Sequence, residues 1–439
     1  MASTYLYRTS GTPTSQKKGT FSFWVKRSGL SSTTRLFNNH VTSVYYGYID
    51  FTGGDKLRVA GDDAGTISVQ TNRLFRDTNA WYHIVIAIDT TQSTAADRVK
   101  VYVNGEQETS FATSTYPSQN DNLNFLSTSA SNGHVIGAYY NGSAYSGGFD
   151  GLMSHIHFID GTAYAPTAFG ETDSTTGIWK IKSTVSVTYG NNGWFVLKDG
   201  NNLSGSTVQD QSGEGNNFTA SGTLTSLKDC PDNVFATLNP LARRLTTNDP
   251  TYLNTNSSLQ AQTGNGQNNN AIATLGDLSK GKYYFECKVQ TVGNDFGVGI
   301  SDTPIPSDGS LDGSHEIIYK NDGTKWNGSA YVSYGASYTT GDIIGCAFDV
   351  TAGTISFYKN GVSQGTAATD LASSLVYGYT PGGYTNHGVM HFNFGNGYFG
   401  TTAVSSAQNP TDGIGIFEYS PPTNYRAICT KSINAQEYS

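Results

Sequence analysis

Two strand–turn–strand motifs with the same turn chemistry, far apart in the chain, constrain the fold more than any other feature. In the C-terminal half, GTISFYKNGVSQG alternates apolar and polar residues and then reaches Asn360-Gly361. An Asn-Gly pair supplies the two positive-φ residues that a tight β-hairpin needs. The N-terminal half contains RVKVYVNGEQ, which alternates in the same way and turns at Asn104-Gly105. Each motif therefore predicts a hairpin of antiparallel strands.

An apolar strand that ends on an acid precedes each hairpin, GDIIGCAFD in the C-terminal half and WYHIVIAID in the N-terminal half. The chain thus contains the same three-strand meander twice. Repetition of this kind predicts two β domains of related architecture. The 439 residues are enough for two domains of about 200 residues, each with its own core.

The composition favours short strands and tight loops over helices. Charged residues make up only 14% of the chain, against roughly 25% in an average soluble protein. Their place is taken by 51 glycines, 28 tyrosines and many small polar residues. An aromatic content of 12% argues against a disordered chain. We therefore expect an all-β protein made of two antiparallel β-sandwich domains.

Charge and hydropathy restrict the partners and the compartment. A net charge of −8 without a basic cluster argues against nucleic acid, because nothing would neutralise phosphates. No apolar run approaches membrane-spanning length, and the N-terminus has no apolar core for a secretory signal. The composition is nevertheless typical of extracellular binding proteins. A virus particle that is assembled in a host cytoplasm and acts outside the cell would reconcile these observations.

The four cysteines do not suggest a disulfide framework, because they are spread over the chain. Cys287 and Cys346 each lie within an apolar strand, which predicts that they are small core residues.

The strand WYHIVIAID is apolar on both faces. Ile84, Ile86 and Ile88 form one face, while Val85 and Ala87 make the opposite face apolar as well. Such a strand is central in its sheet, and its outer side needs a cover from a loop or from a neighbouring chain. On this ground we expect a homo-oligomer.

Four motifs in the N-terminal half resemble those of laminin-G-like, concanavalin A-like jelly rolls: TFSFWVKR, WYHIVIAID, RVKVYVNG and FDGLMSHIHFIDG. The resemblance covers roughly residues 15–170, and we assign residues 1–228 to this domain. The segment DQSGEGNN resembles one usually found near the start of such domains, but here it follows the other motifs. Residues 193–222 therefore either fold back to close the first sandwich, in a permuted arrangement, or form a short extra hairpin.

The C-terminal half resembles the SPRY fold, a β-sandwich that presents binding loops. The resemblance rests on KYYFECKV, FGVGIS, GDIIGCAFDV, GTISFYKNG and a closing FNFG, over about residues 255–400. We assign residues 251–430 to this domain and 431–439 to a polar C-terminal tail. Residues 229–250 contain prolines and the Arg243-Arg244 pair, and are expected to form an irregular linker. The tandem order is similar to that of structural proteins of marine tailed bacteriophages.

No catalytic or metal-binding motif is convincing. Glu171 and Asp173 form an acid-x-acid pair, but they lie in a polar stretch without the third acid that concanavalin A-like hydrolases cluster on a strand. His155 and His157 fall on one face of a strand and are expected to be polar residues of a half-buried strand rather than metal ligands. We expect no catalytic residue, no metal and no cofactor.

Aromatic residues on polar loops are the best candidates for ligand recognition. Their rings offer flat apolar faces with a polar edge, which suit sugars and protein partners alike. Three loops contain them, AYYNGSAYSGG, KWNGSAYVSYGASY and VYGYTPGGYTNHG, and the last two fall where SPRY domains present recognition loops. The candidate ligand-binding residues are Tyr139, Tyr140, Tyr145, Trp326, Tyr331, Tyr334, Tyr379, Tyr384 and His387.

These observations predict a non-enzymatic, lectin-like protein of a phage virion surface, either a tail fibre or spike or a capsid fibre or decoration protein. Its partner would be a host-surface glycan or receptor, and repetition around the particle would raise the avidity of weak sites. A purely structural role, through contacts with neighbouring virion proteins, is the main alternative. A glycan hydrolase is a more distant one.

Overall fold

The computed structural model describes residues 4–40, 46–61, 67–126, 133–198, 203–242, 251–253, 258–260, 269–302, 316–326, 328–371 and 378–437. The chain divides into two compact units, Met1–Ser226 and Leu227–Ser439, which we call unit 1 and unit 2. In the described residues no helix is long and apolar enough to cross a membrane.

The strands of unit 1 are β1 Tyr5–Arg8, β2 Lys18–Arg27, β3 Thr34–His40, β4 Tyr46–Phe51, β5 Lys56–Gly61, β6 Ile67–Leu74, β7 Trp81–Asp89, β8 Val99–Val103, β9 Glu106–Gln107, β10 Phe111–Thr115, β11 His134–Ile136, β12 Tyr139–Tyr140, β13 Tyr145–Ser146, β14 Gly151–Asp160, β15 Gly170–Thr172, β16 Trp179–Ile181, β17 Trp194–Val196, β18 Leu203–Ser204, β19 Thr207–Val208 and β20 Phe218–Ser221. Short 3₁₀ helices occur at Ala95–Asp97, Asn124–Leu126 and Pro166–Ala168.

Two antiparallel sheets build unit 1. The ten-stranded sheet has the order β10-β6-β5-β4-β3-β11-β1-β20-β19-β18, and the six-stranded sheet has the order β17-β14-β2-β7-β8-β9. Alternation sends Phe21, Phe23 and Val25 of β2 into a core that they share with Ile49 and Val59 of the ten-stranded sheet. A core that draws on both sheets defines a β-sandwich, so the predicted fold class is confirmed for this half.

The segment after residue 193 closes both sheets of unit 1. Strand β17 pairs with β14, with Phe158 opposite Trp194. Strand β20 pairs with β1, with Leu6 opposite Ala220. Of the two alternatives for residues 193–222, the structure shows the one in which they complete the first sandwich.

The outer face of β7 is covered by unit 1 itself. Val85 packs with Ile159, Phe169, Tyr189 and Phe195 in a second apolar cluster, outside the main core. The expectation of a homo-oligomer rested on an open face at Val85 and Ala87, which are 0% and 7% exposed. That reason is therefore removed, because the residues after β14 supply the cover.

The strands of unit 2 are β21 Thr251–Leu253, β22 Ser258–Gln260, β23 Asn269–Ile272, β24 Lys282–Thr291, β25 Asp295–Ser301, β26 Ile317–Lys320, β27 Thr324–Trp326, β28 Tyr331–Ser333, β29 Ile343–Asp349, β30 Thr354–Lys359, β31 Val362–Ala368, β32 Thr380–Asn386, β33 Val389–Asn393, β34 Tyr398–Phe399 and β35 Thr402–Ala403. They are followed by one α-helix, α1, at Thr430–Glu437.

Unit 2 is a second antiparallel sandwich. Its seven-stranded sheet has the order β21-β22-β33-β24-β29-β30-β31, and its six-stranded sheet has the order β23-β32-β25-β26-β27-β28. The core between them includes Phe285, Cys287 and Cys346, and both cysteines are free thiols. The prediction that these cysteines are core residues is confirmed, and so is the two-sandwich fold class.

The two predicted Asn-Gly turns are confirmed. Asn104 and Gly105 have φ of 50° and 86°, and Asn360 and Gly361 have φ of 49° and 78°. In each turn the asparagine side chain accepts a hydrogen bond of 2.8 Å from the backbone of the preceding strand, at His83 in unit 1 and Ile343 in unit 2. The same local bonding thus recurs in both meanders.

Two boundary expectations differ from the structure. The expected linker 229–250 begins with buried residues: Phe235, Ala236 and Leu238 are at most 1% exposed and pack in unit 2, while residues 243–250 lie outside the described part. The expected tail 431–439 falls largely within α1. The sequence did not indicate that Phe235, Ala236 and Leu238 are buried, because they lie among prolines and polar residues. It did not indicate α1, because the residues of that helix are mostly polar.

Candidate recognition surfaces

An aromatic and cationic surface lies on the outer face of the ten-stranded sheet of unit 1. Alternation on β1 buries Leu6 and Arg8 and leaves Tyr5 and Tyr7 half-exposed on the opposite face. The β12–β13 hairpin adds three further tyrosines beside them. We define the tyrosine–arginine surface as Tyr5, Tyr7, Arg35, Tyr48, Arg58, Tyr139, Tyr140 and Tyr145.

Tyr145 is the centre of the aromatic part of this surface. Its ring stacks on Tyr5 at a centroid distance of 4.0 Å and lies 4.6 Å from Tyr140 and 6.2 Å from Tyr7. The hairpin is held to the sheet because the Tyr140 amide donates to Asn38 Oδ1 at 2.9 Å. Rings that support one another are pre-organised, so their hydroxyls and edges would be presented to a ligand at little entropic cost.

The cationic part is built around one buried carboxylate. Asp50 lies opposite both Arg35 and Arg58 in the register of β3, β4 and β5, and it is 0% exposed. Arg58 donates to both carboxylate oxygens, at 3.0 and 2.7 Å, and Arg35 forms an ion pair with the same group. Two guanidinium groups against one carboxylate leave this part of the surface with a net positive charge.

Tyrosine rings lie beside both arginines, and the Arg58 guanidinium is 5.0 Å from the ring centroid of Tyr48. The Arg35 guanidinium lies 3.9 Å from the ring centroid of Tyr48 and 5.0 Å from that of Tyr139. Burial lowers the pKa of Arg35 to about 10, so it remains protonated at neutral pH. The arrangement joins aromatic rings, hydroxyls and a fixed positive charge on one face, which suits a ligand with hydroxyl and anionic groups.

In unit 2 the structure brings together two of the predicted residues. Trp326 and Tyr331 lie on the paired strands β27 and β28, with ring centroids 4.9 Å apart. Tyr331 is 39% exposed, and Lys320 Nζ lies 4.4 Å from its ring centroid. These residues form a small exposed aromatic patch at the edge of the six-stranded sheet.

The other predicted residues of unit 2 are structural or lie apart. Tyr379 and Tyr384 are 1% and 0% exposed, so their rings do not lie on the exposed loops where the sequence placed them. Tyr334 is half-buried, and its hydroxyl donates to the carbonyl of Gly365. Half-buried His387 lies at a positive φ of 64°, with Nδ1 3.4 Å from Asn294 Nδ2. Glycine-rich segments suggested exposed loops, but Tyr384 lies within a central strand.

The residues weighed for catalysis and metal binding have ordinary partners. On the β15–β16 hairpin, Lys180 Nζ lies 3.7 Å from Glu171 Oε1 and 2.9 Å from Asp173 Oδ2. His157 is buried, and its Nδ1 lies 2.9 Å from the Tyr189 hydroxyl. Within the described residues, no group of three or more His, Cys, Asp or Glu side chains could hold a metal ion.

The sequence interpretation missed five members of the tyrosine–arginine surface: Tyr5, Tyr7, Arg35, Tyr48 and Arg58. The alternation in YLYR and YGYID indicates which of these side chains share a face. The adjacency of β1, β11 and β3 is a tertiary property, because the paired residues are separated by about a hundred positions or more in the chain.

The fold and these surfaces define a class: two antiparallel β-sandwiches that present partly exposed aromatic residues. Comparison with protein families then specifies each sandwich. Residues 2–166 match the model of the concanavalin A-like lectin/glucanases superfamily, and residues 282–396 match the SPRY domain. The chain therefore carries a concanavalin A-like domain and a SPRY domain in tandem, which indicates a binding or adhesion role.

Curated relatives match a short part of the chain. Ran-binding protein 9 of Danio rerio is 36% identical over 125 residues, which are 26% of this chain and 20% of the relative. The E3 ubiquitin-protein ligase RKP of Arabidopsis thaliana is 36% identical over 107 residues, which are 23% of this chain and 8% of the relative. The chain thus spans a fifth or less of the length of these two relatives.

Two solved structures are similar to parts of this chain. The SPRY domain of human HERC1 is 22% identical, with a TM-score of 0.30, and the match covers 35% of this chain and 96% of that domain. A candidate carbohydrate-binding protein from Bacteroides ovatus is 15% identical, with a TM-score of 0.34, and the match covers 50% of this chain and 56% of that protein.

Proposed function

We propose that this protein is a non-enzymatic component of a tailed-phage virion surface that recognises a glycan on the host cell. The observation that carries the binding role is the tyrosine–arginine surface, where a stacked tyrosine cluster adjoins two arginines that share one buried carboxylate. The virion assignment rests on the similarity of the tandem domain order to that of marine phage structural proteins. Tail fibre, spike and capsid decoration all fit this assignment.

The glycan assignment follows from the chemistry of the surface. Half-exposed tyrosines at Tyr5, Tyr140 and Tyr145 offer ring edges and hydroxyls to the C–H and O–H groups of a sugar. The net positive charge near Arg35 and Arg58 favours a saccharide that carries carboxylate or phosphate groups. Many copies on one particle would convert weak single-site contacts into stable attachment.

A structural role in virion assembly is the second candidate, and an exposed strand edge favours it. Strand β28 is the last strand of its sheet in the described part of unit 2, and Tyr331 and Val332 are 39% and 36% exposed. A strand at the edge of a sheet with exposed apolar side chains can accept a strand from a neighbouring protein.

The test compares two cationic variants on opposite sheets of unit 1. Arg58→Ala removes a charge from the tyrosine–arginine surface, and Lys100→Ala removes one from the six-stranded sheet; each wild-type side chain pairs with one carboxylate. We expect Arg58→Ala to weaken retention of the multimerised protein on host cells or their polysaccharide about tenfold, and Lys100→Ala to leave it unchanged. Equal retention of both variants, or no retention of the wild type, would contradict glycan recognition by this surface.

Two further measurements test the remaining parts of the proposal. Incubation with host polysaccharide is expected to release no reducing ends, and their appearance would establish a hydrolase instead. Immunogold labelling of purified particles is expected to decorate the tail or the capsid surface. Absence of label from intact particles would overturn the virion assignment without affecting the binding result.

A further inference from the structure

Unit 2 contains an open cleft of about 960 Å³ that the recognition surfaces do not include. Its walls come from the start of β24, the β29–β30 turn, the segment around residues 411–426 and helix α1. The SPRY match ends at residue 396, so much of the cleft is built by the C-terminal residues beyond it. The volume lies within the range of small-molecule sites in proteins.

Hydrogen bonds hold the walls in place. Gln436 of α1 accepts from the Lys282 amide at 2.6 Å and donates to the Lys282 carbonyl at 3.0 Å. The neighbouring Gly281 has a φ of +91°, and a Cβ there would lie 2.5 Å from Gln436 Oε1. The Gly281 amide donates to Thr351 Oγ1 at 2.9 Å. The helix and the turn are thus fixed to the same end of β24, and the cleft is pre-formed.

The charged residues of the cleft are paired. Lys282 Nζ lies 3.3 Å from Asp349, and Arg426 Nη1 lies 3.5 Å from Asp412, while Lys280 is at the exposed rim. An anion would meet the two carboxylates, and a cation would meet the lysines and the arginine. A neutral ligand with many hydroxyls can donate to the carboxylates and accept from the cations at the same time. The charge pattern therefore favours a polyhydroxylated ligand.

A tyrosine ring supplies the apolar contact that a sugar needs. Tyr425 lines the cleft and is half-buried, and its side chain packs against the buried cluster that contains Tyr284 and Phe417, which fixes the position of the ring. Asn424 lines the cleft beside it and is exposed. A fixed aromatic ring next to amide, carboxylate and guanidinium groups is suited to the C–H face and the hydroxyls of a pyranose.

We infer that this cleft is a saccharide-binding subsite, with Tyr425 as the stacking residue and Asp349, Asp412 and Arg426 as hydrogen-bonding partners of the sugar hydroxyls. The inference is independent of the tyrosine–arginine surface, because none of the cleft residues belongs to unit 1. The cleft favours neutral, polyhydroxylated sugars, whereas the surface on unit 1 favours saccharides that carry carboxylate or phosphate groups.

The test uses saturation-transfer NMR on the full chain with methyl glycosides of glucose, galactose, mannose and N-acetylglucosamine as probes. Ala435→Trp places a large side chain on an exposed, cleft-lining position of α1, and Asn434→Trp places the same side chain on the next residue, outside the cleft. We expect transfer to at least one glycoside with the wild type and with Asn434→Trp, and about a tenfold loss with Ala435→Trp. Tyr425→Ala is expected to lose transfer, whereas Tyr425→Phe retains it.

The subsite would be overturned if the wild type showed no transfer to any glycoside, or if both tryptophan variants showed equal transfer. It would also be overturned if the protein bound inorganic phosphate and Ala435→Trp, but not Asn434→Trp, abolished that binding. The last result would identify an anion site. Arg58→Ala tests the surface on unit 1 by cell retention, and Ala435→Trp tests the cleft by transfer to the neutral glycosides. Failure of the cleft and failure of the surface on unit 1 are therefore measured separately.

Discussion

At the residue scale, the most informative group in unit 2 is the buried carboxylate of Glu286. It is 0% exposed, yet it accepts hydrogen bonds from the Glu418 and Tyr419 amides, both at 2.9 Å, and from the Tyr284 hydroxyl at 3.2 Å. Asn393 donates to it at 3.3 Å. A strand residue that would ordinarily face solvent thus holds the C-terminal segment against the outside of the seven-stranded sheet.

The buried carboxylate of Glu286 should make the free energy of unfolding depend on pH. Burial raises its pKa from 4.5 to about 7, so the folded state binds the proton more tightly than the unfolded chain does. The stabilisation linked to protonation is complete below about pH 4.5 and is lost as the pH rises through about 7. We expect wild-type stability to fall by on the order of 3 kcal/mol between these limits relative to Glu286→Gln.

Chemical denaturation of both proteins at pH 4.5, 6 and 8 measures this difference, because all other titrating groups are shared. Parallel pH profiles for the wild type and Glu286→Gln would show that folding does not raise the pKa of Glu286.

At the element scale, each meander supports a covering segment at its Asn-Gly turn. A Cβ on Gly105 would lie 2.6 Å from the Trp179 ring, and a Cβ on Gly361 would lie 2.6 Å from the Tyr419 ring. The turn glycines are therefore required for backbone conformation and for close approach of an aromatic ring. Trp179 belongs to the β15–β16 hairpin, and Tyr419 belongs to the segment that Glu286 holds.

Trp179 also sets the hydrogen bonding of a buried histidine. Its Nε1 donates to His83 Nδ1 at 2.9 Å, so the other ring nitrogen of neutral His83 carries the proton and donates to Ser22 Oγ at 2.9 Å. Burial, with a smaller contribution from His155, lowers the pKa of His83 to about 3. The histidine is therefore neutral, and its orientation depends on the β15–β16 hairpin.

Removal of the Trp179 ring is expected to destabilise unit 1. Trp179→Ala leaves a cavity over Gly105 and an unpaired acceptor on His83, which should cost about 2–4 kcal/mol. The adjacent Ile178 is 65% exposed, so Ile178→Ala should change stability by less than about 0.5 kcal/mol. Thermal unfolding of the two variants measures the difference, and equal melting temperatures would show that the hairpin does not stabilise the sandwich.

At the scale of the whole molecule, two separate cores account for the organisation of the chain. Phe23, Ile86 and Trp194 belong to a cluster made entirely of unit 1 residues, and Phe285 and Phe357 belong to one made entirely of unit 2 residues. A core that is complete within one unit should support folding without the other. The boundary near Ser226–Leu227 also places Phe235 and Leu238 in unit 2. Leu238 belongs to its main core, and Phe235 belongs to a smaller buried cluster of the same unit.

Fragments test this organisation. Residues 1–226 and 227–439 are each expected to unfold cooperatively when expressed alone. A fragment of residues 251–439 lacks Phe235, Ala236 and Leu238, and should lose about 5 kcal/mol or fail to fold. Calorimetry of the three fragments is the measurement. Equal stability of the fragments that begin at 227 and 251 would mean that residues 227–250 are a linker after all.

The amino-acid sequence alone predicts the main strands, the two Asn-Gly hairpins and the division into two β-sandwiches. These features follow from side-chain alternation and from the backbone preferences of short segments, which are local properties. The resemblance to two known folds also predicts how the strands are connected, because the motifs around each Asn-Gly turn occur in the same order as in those folds.

Which aromatic residues are exposed depends on the tertiary structure and does not follow from the sequence pattern. Tyr384 follows a glycine-rich stretch, yet it is buried in a central strand, whereas Tyr5 meets Tyr145 on an outer face. Burial depends on which distant strands become neighbours and which segments cover a sheet, and local alternation does not contain that information. For the same reason, the sequence pattern does not show that the residues around 235 are buried in unit 2 or that those around 425 line a cleft.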